Sequence, residues 1–551
     1  MQRLCYALCL LALTLHAGCG RRETRVEYGN REQILFKGNG AEPAELDPQI
    51  VTGVTEHHTI MAFLEGLVTE DPVDLHPVPG VAERWDVSED GRVYTFHLRK
   101  DAKWSNGDPV TAQDFWESYR RILTPTLASE YAYMHFVVTN AEAFNQGRIT
   151  DFDQVGYKVL GDHTFQIRLA SPTPYFLSLL NHTSWFPVHL PTVRKHGLPY
   201  VRGNKWTRPG HHVGNGPFVL DEWRVNTVIV AKKSPTYWGR DTVRLNEIRF
   251  YPIDSADTEE RAFRSGQLHV TETLPLSKIE VYRNRQPEVL RVDPYLGVYF
   301  YRLNVTKPPL NDKRVRQALS AAMDRTALVE KVARGGQRPA YHFTPPGTAG
   351  YYSRAKVSGD LAAARKLLAE AGYPEGKGFP KVELLFNTSE AHRAIAEAIQ
   401  QMWKVNLGVE VQLVNQEWKV YLDSQHALNY QICRAAWIAD YVDPNSFLDM
   451  FLTGGGNNDT GWSNAEYDGL IAAASREAHP AKRMEIFQRA EALLLDEMPV
   501  IPIYFYTRVN LRRPEAKGWH PNILDSHPYK YVYLEDSPGG TKASATAGTG
   551  H

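Results

Sequence analysis

The sequence predicts an α/β chain, with α+β as the neighbouring possibility, built from more than one domain. Three observations predict it. Apolar patterns of period two and period 3.6 interleave along the whole chain. No segment repeats at a fixed period. The 551 residues exceed what one hydrophobic core holds, at about 150 residues per domain.

The elements follow in order. Residues 21–28 are charged and read as a tether. In 91–99, Tyr94, Phe96 and Leu98 alternate with Val93, Thr95 and His97, which predicts a strand. Asn106, Gly107, Asp108 and Pro109 form a turn signal. Residues 111–123 read as a helix with Thr111 as N-cap and Asp114 three residues on. Phe165, Ile167 and Leu169 predict a second alternating strand in 164–169. Val315, Ala318, Leu319 and Ala322 predict one helical stretch over 311–334. Residues 360–371 predict another, carrying Leu361, Leu367 and Leu368, with Gly372 in the C′ place. In 389–407, Ile395, Ile399, Met402 and Trp403 share one helical face and Gly408 ends it. Residues 409–413 then alternate as a strand. The tail 537–551 is mostly Gly, Ala, Ser and Thr with no core-forming residue, and is expected to be disordered.

Composition excludes some functions. Lys plus Arg is 62 against 63 Asp plus Glu, so no cationic excess exists to grip nucleic acid broadly. Hydrophobic residues at 43% and charged residues at 23% are ordinary globular usage, which excludes disorder for the bulk. The 28 Tyr and 12 Trp suit surfaces that hold ligands through rings and hydroxyls.

Three of the four cysteines, Cys5, Cys9 and Cys19, precede residue 20, and only Cys433 lies further on. They cannot make a disulfide framework for the fold. Arg3 followed by the apolar run 6–15 fits a signal peptide over 1–18 and is too short to span a bilayer. Ala17, Gly18 and Cys19 resemble a lipobox, which implies a lipid on Cys19. The family prefers Leu three places before the cysteine, where this chain has His16. The alternative is cleavage after Ala17 to a form without a lipid. No other long apolar run occurs, so membrane association is expected only through the anchor.

No H-E-x-x-H, G-x-S-x-G, Walker A or C-x-x-C pattern is present. The adjacent pairs His57-His58 and His211-His212 do not share a helix face. No metal and no cofactor are expected, and the chain is not expected to be an enzyme.

Several long segments are similar to the oligopeptide-binding proteins of bacterial ABC importers, within the extracytoplasmic solute-binding family. They are 82–115 (with TFHLRKDAKWSNGDPVTAQDF), 172–180 (PTPYFLSLL), Asn215-Gly216-Pro217 followed by Tyr237-Trp238, 311–325, 385–423 and 434–448 (RAAWIADYVDPNSFL). The likeness spans about 45–514. It implies a two-lobed periplasmic-binding-protein fold with three domains. Domain I would comprise 19–64, 189–296 and 508–536, domain II 65–188, and domain III 297–507, with two crossing segments as the hinge.

The resemblance also implies roles. Asp440, last in the A-x-W-x-A-D motif of 435–440, matches the residue that pairs with a peptide ammonium. Arg434 and His392 match residues that meet the carboxylate end. His392 also lies three places after Ser389, in the first turn of a predicted helix, and helix N-termini favour anions. Trp418, Trp437, Val54, Asn387, His426 and Tyr506 match pocket residues, with one of Tyr131 or Tyr133 as a further wall. Read without the resemblance, each Trp is core packing and His392 a structural residue. The chain departs from the family at Thr52, where a Glu is usual, and at Ala333, where a Lys is usual and Arg334 follows. Gly297 and Ile438 stand where the family has a disulfide pair.

The expected protein is therefore a monomeric periplasmic receptor. It would capture peptides of roughly two to five residues, pairing with them as an added strand, and deliver them to an ABC permease in the inner membrane. The alternatives are a receptor for murein peptide and, in another class, a secreted peptide hydrolase.

Overall fold

A computed structural model describes residues 23–477 and 479–535. The signal segment 1–18, Cys19 and the tail 537–551 lie outside the described residues. Helices and three main sheets are mixed along the chain, as an α/β chain requires. No helix among the described residues is long and apolar enough to cross a membrane.

The first sheet orders its four strands Ile34–Gly38, Glu247–Tyr251, Val228–Lys233 and Phe218–Arg224. Its first pair is parallel and the others antiparallel. The second sheet is antiparallel, in the order Ala82–Val87, Val93–Leu98, Thr164–Arg168 and Tyr157–Gly161. Tyr94, Phe96 and Leu98, then Phe165 and Ile167, point into one core, as their alternation predicts. The helix Ala112–Leu123 buries Phe115, Tyr119 and Ile122 there. Its start is fixed locally: the Thr111 N–H donates to the Asp114 carboxylate at 2.7 Å.

The third sheet has six strands, ordered Arg338–Pro339, Val500–Leu511, Leu290–Leu303, Ile432–Ile438, Val382–Asn387 and Val411–Gln416. Two long antiparallel strands, Leu290–Leu303 and Val500–Leu511, run through its middle. Their register breaks between Pro294 and Val298. Before the break Leu290 packs with Ile34, Phe36 and Leu511. After it the strand is buried on both faces: Val298 and Phe300 join one core, Tyr299, Tyr301 and Leu303 another.

The helix Glu390–Leu407 starts where Ser389 accepts the His392 N–H and ends on Gly408 at φ +71°. Ile395, Ile399 and Trp403 are buried, whereas Met402 is only half-buried. The helix Leu361–Glu370 is capped by Asp360, and Gly372 follows at φ +97°.

Two expectations need correction. Residues 21–28 are not simply a tether: Arg25–Glu32 is a helix, closed by a capping box between Thr24 and Glu27 and seated through Val26 and Asn30. Residues 311–334 are not one helix. The first segment, Lys313–Ala321, ends before Asp324, whose side chain caps a new start by accepting the Ala327 N–H. The chain then continues as a π-helical turn, Leu328–Ala333.

Candidate functional site

The site begins at an uncovered strand edge. Ile432–Ile438 pairs with Leu290–Leu303 over all seven of its residues. On its other side Val382–Asn387 pairs only at Ile432 and Cys433. From Arg434 onward no strand among the described residues covers that edge. Every second residue of such an edge directs its N–H and C=O outward, which makes it a template for another extended chain. The small side chains of Ala435 and Ala436 let a backbone approach.

Asp440 stands just past one end of this edge. Its N–H is held by Ser446 Oγ at 2.9 Å. Oδ1 faces the Tyr131 hydroxyl at 3.4 Å and His182 Nε2 at 3.5 Å. Oδ2 is buried with no partner, and the side chain is only 10% exposed. Burial pushes the carboxyl up to about 8, against an ordinary 3.8. His182 cannot neutralise it. The Ser184 N–H donates to His182 Nδ1 at 3.2 Å, so the ring carries its proton on Nε2, facing Asp440. Burial, with His57 and His135 nearby, holds this imidazole well below its usual value and therefore neutral. Asp440 is thus positioned by neutral donors and lacks a cation.

Arg434 stands six residues back, at most about 20 Å along the chain. Its guanidinium lies over the Tyr299 ring at 4.9 Å and donates to Tyr506 Oη at 2.8 Å and Asn387 Oδ1 at 3.3 Å. It is buried, and no carboxylate among the described residues pairs with it. A buried carboxyl without a counter-cation and a buried guanidinium without a counter-anion therefore mark the two ends of a single open edge. The spacing accommodates about five extended residues.

His392 lies beside Tyr299, at 5.6 Å between rings, with Nδ1 buried and unpartnered. Burial and the Arg434 charge keep it neutral. It offers a hydrogen bond to an anion, not a charge. Trp418 opens the helix Trp418–His426, stacks on Tyr421 at 5.7 Å, and donates to Glu56 at 3.3 Å. The Trp437 indole donates to the Ser446 carbonyl and lies 6.5 Å from the Tyr131 ring. Val54 opens the helix Val54–Ile60 and is 37% exposed.

His426 bridges two acids, Asp459 at 3.0 Å and Glu130 at 3.3 Å. Arg302 also pairs with Asp459, and Arg202 with Glu130. Burial opposes a charge on His426, but Asp459 and Glu130 outweigh it, and its pKa is raised.

Eight of the nine residues singled out in the sequence line one cavity of about 380 Å³; Asn387 lines an adjoining cavity of about 450 Å³. Of the two tyrosines, Tyr131 is at the wall, and Tyr133 sits behind it. Sequence reasoning missed His182, His57, Glu130 and the Arg302–Asp459 pair, which no motif marks. Gly297 and Ile438 face each other directly across two strands, and Cys433 is a buried free thiol pushed up to about 12 by burial. Among the described residues, three metal-capable side chains converge only at Asp71, Asp74 and His76, on the surface.

Comparison with known proteins gives a consistent result. A family model described as bacterial extracellular solute-binding proteins, family 5 Middle, matches residues 76–459. The periplasmic oligopeptide-binding protein OppA of Escherichia coli K12 is 40% identical over 91% of this chain and 93% of its own. The structure of Haemophilus influenzae OppA in complex with RPPGFSPFR superposes with a TM-score of 0.87 at 34% identity, covering 91% of this chain and 99% of that one. The E. coli murein tripeptide binding protein MppA gives 0.87 in one structure at 36% identity, covering 91% and 98%. An MppA structure described as the unliganded open form gives only 0.61 at the same identity, covering 91% and 97%. The lobes of the present structure are therefore closed on each other. The chain belongs to the bacterial extracellular solute-binding proteins of family 5.

Proposed function

We propose that this chain is the receptor of an ABC importer for short peptides. It captures them between its lobes and hands them to a permease in the inner membrane. One observation carries the reading: the Asp440 carboxyl and the Arg434 guanidinium, both buried and neither with a counter-ion, flank one uncovered strand edge. A peptide supplies what each lacks, and its backbone completes the edge. A buried charge is unfavourable without its partner, so an empty cleft favours opening and a filled one closure. Trp418, Trp437, Val54 and Tyr131 give walls that take varied side chains, with Tyr506 and Asn387 holding Arg434 in place and His392 assisting at the carboxylate.

The three-domain division at 64/65, 188/189, 296/297 and 507/508 is supported by one sheet in each body and by the register break between Pro294 and Val298. The two long strands are then the hinge. Export and a lipid on Cys19 complete the reading, with the chain acting as a monomer.

Calorimetry with a free pentapeptide, its N-acetylated form and its C-amidated form tests the assignment. Acetylation removes the ammonium and should abolish tight binding; amidation should weaken it. Equal binding of the acetylated form would overturn the role of Asp440. Murein tripeptide is the competing ligand in the same titration, and cleaved product recovered afterwards would overturn the receptor reading.

A further inference from the structure

A second cavity of about 450 Å³ lies on the far side of Asn387 and Tyr506, the two residues that hold Arg434. It is continuous with the first: Thr55, Tyr295, His392, Trp418, Tyr506 and Arg508 line both. At their junction His392 presents the buried, unpartnered Nδ1. Beyond it the walls include small side chains, Ser277, Ala333 and Ala391, which leave room for a chain.

The charges there are one-sided. Asp254, Asp257 and Glu390 line the cavity. Glu42 and Glu417 stand close enough that, after burial, they and Glu390 raise the Asp254 carboxyl. Among the described residues no Lys or Arg forms an ion pair with any of these five. Three of them accept from neutral donors: Glu42 from Trp223 Nε1 and the Asn226 N–H, Glu390 from the Ala256 N–H, and Glu417 from the Lys419 and Val420 N–H groups. The one guanidinium in the lining, Arg508, already pairs with Glu272 and Asp525. A free carboxylate placed here meets unneutralised like charge, whereas a cation is attracted.

We propose that this second cavity receives the continuing chain of peptides longer than about five residues, and that it selects basic side chains there. The proposal rests on the peptide reading above and adds a length class and a charge preference to it.

The test uses the full chain and four peptides. One is a tripeptide. The other three are heptapeptides that begin with the same three residues and end in three lysines, three serines or three glutamates. The lysine heptapeptide should bind at least as tightly as the tripeptide and at least about tenfold more tightly than the glutamate one. The gap should shrink as salt is raised. The exposed substitution Ser277→Trp should weaken the heptapeptides and leave the tripeptide unaffected. Asp254→Asn with Glu390→Gln should narrow the lysine–glutamate gap. If every heptapeptide binds far more weakly than the tripeptide, the chamber does not take chain and the proposal falls. Equal binding of the lysine and glutamate forms overturns it as well. In both cases the tripeptide still reports an intact peptide receptor. If no peptide of either length binds, the peptide reading fails and takes this one with it.

Discussion

Asp440 is buried with one carboxylate oxygen unpartnered, so its replacement by Ala would leave a bound ammonium buried without a counter-charge. Asp440→Ala should lower tripeptide affinity by about 2–5 kcal/mol, read by calorimetry; unchanged affinity would place the ammonium elsewhere. His426 lines the cavity and also ties Glu130 to Asp459 across about 330 residues of sequence. Its pKa is raised in the closed state. This tie is therefore fully present below the ordinary histidine value of 6.5 and is lost as pH rises through the closed-state value. The residue is 30% exposed, so the effect is screened. His426→Gln should cost under about 1 kcal/mol of affinity and flatten its pH dependence above pH 6.5, measured by titration at several pH values. Asp440 and Arg434 were legible as candidates because both lie in one short segment, 434–448, that resembles the family. His182 was not, because it reaches Asp440 from a distant segment and belongs to no local pattern.

Helix ends are written locally, and the elements whose ends were found are those with caps. Thr111, Asp360 and Ser389 start helices by accepting or exchanging hydrogen bonds within a few residues. Gly408 ends one at φ +71°, where an added Cβ would lie 2.3 Å from the Glu375 carbonyl oxygen. Gly408→Ala should therefore cost about 1–3 kcal/mol of stability, visible as a lower melting temperature with tripeptide affinity retained. The strand Leu290–Leu303 was missed for the opposite reason. Its stretch Gly297–Leu303 is buried on both faces, so it carries no alternation to read. The same Asp chemistry that marks a helix start at Asp312 also broke the expected long helix at Asp324.

At the scale of the molecule, closure and protonation are linked. In the closed empty cleft the neutral form of Asp440 is preferred, with its carboxyl raised from 3.8 to about 8. The closed empty state thus holds a proton that the open state releases, and its share falls as pH rises through that window. Small-angle scattering of the peptide-free protein should show expansion between about pH 4 and pH 8. Asp440→Asn should remove that dependence, and saturating peptide should keep the protein compact throughout. A radius that did not change with pH in the wild type would sever Asp440 from closure. The sequence by itself determined the α/β character, the capped helices and the alternating strands, since each depends on neighbours a few places apart. Only the tertiary structure decided that the edge beyond Cys433 is uncovered, that Asp440 and Arg434 lack counter-ions, and that a second acidic chamber continues the first. Those properties depend on what other segments leave unoccupied, and contacts between residues hundreds of places apart are set by packing, not by local pattern.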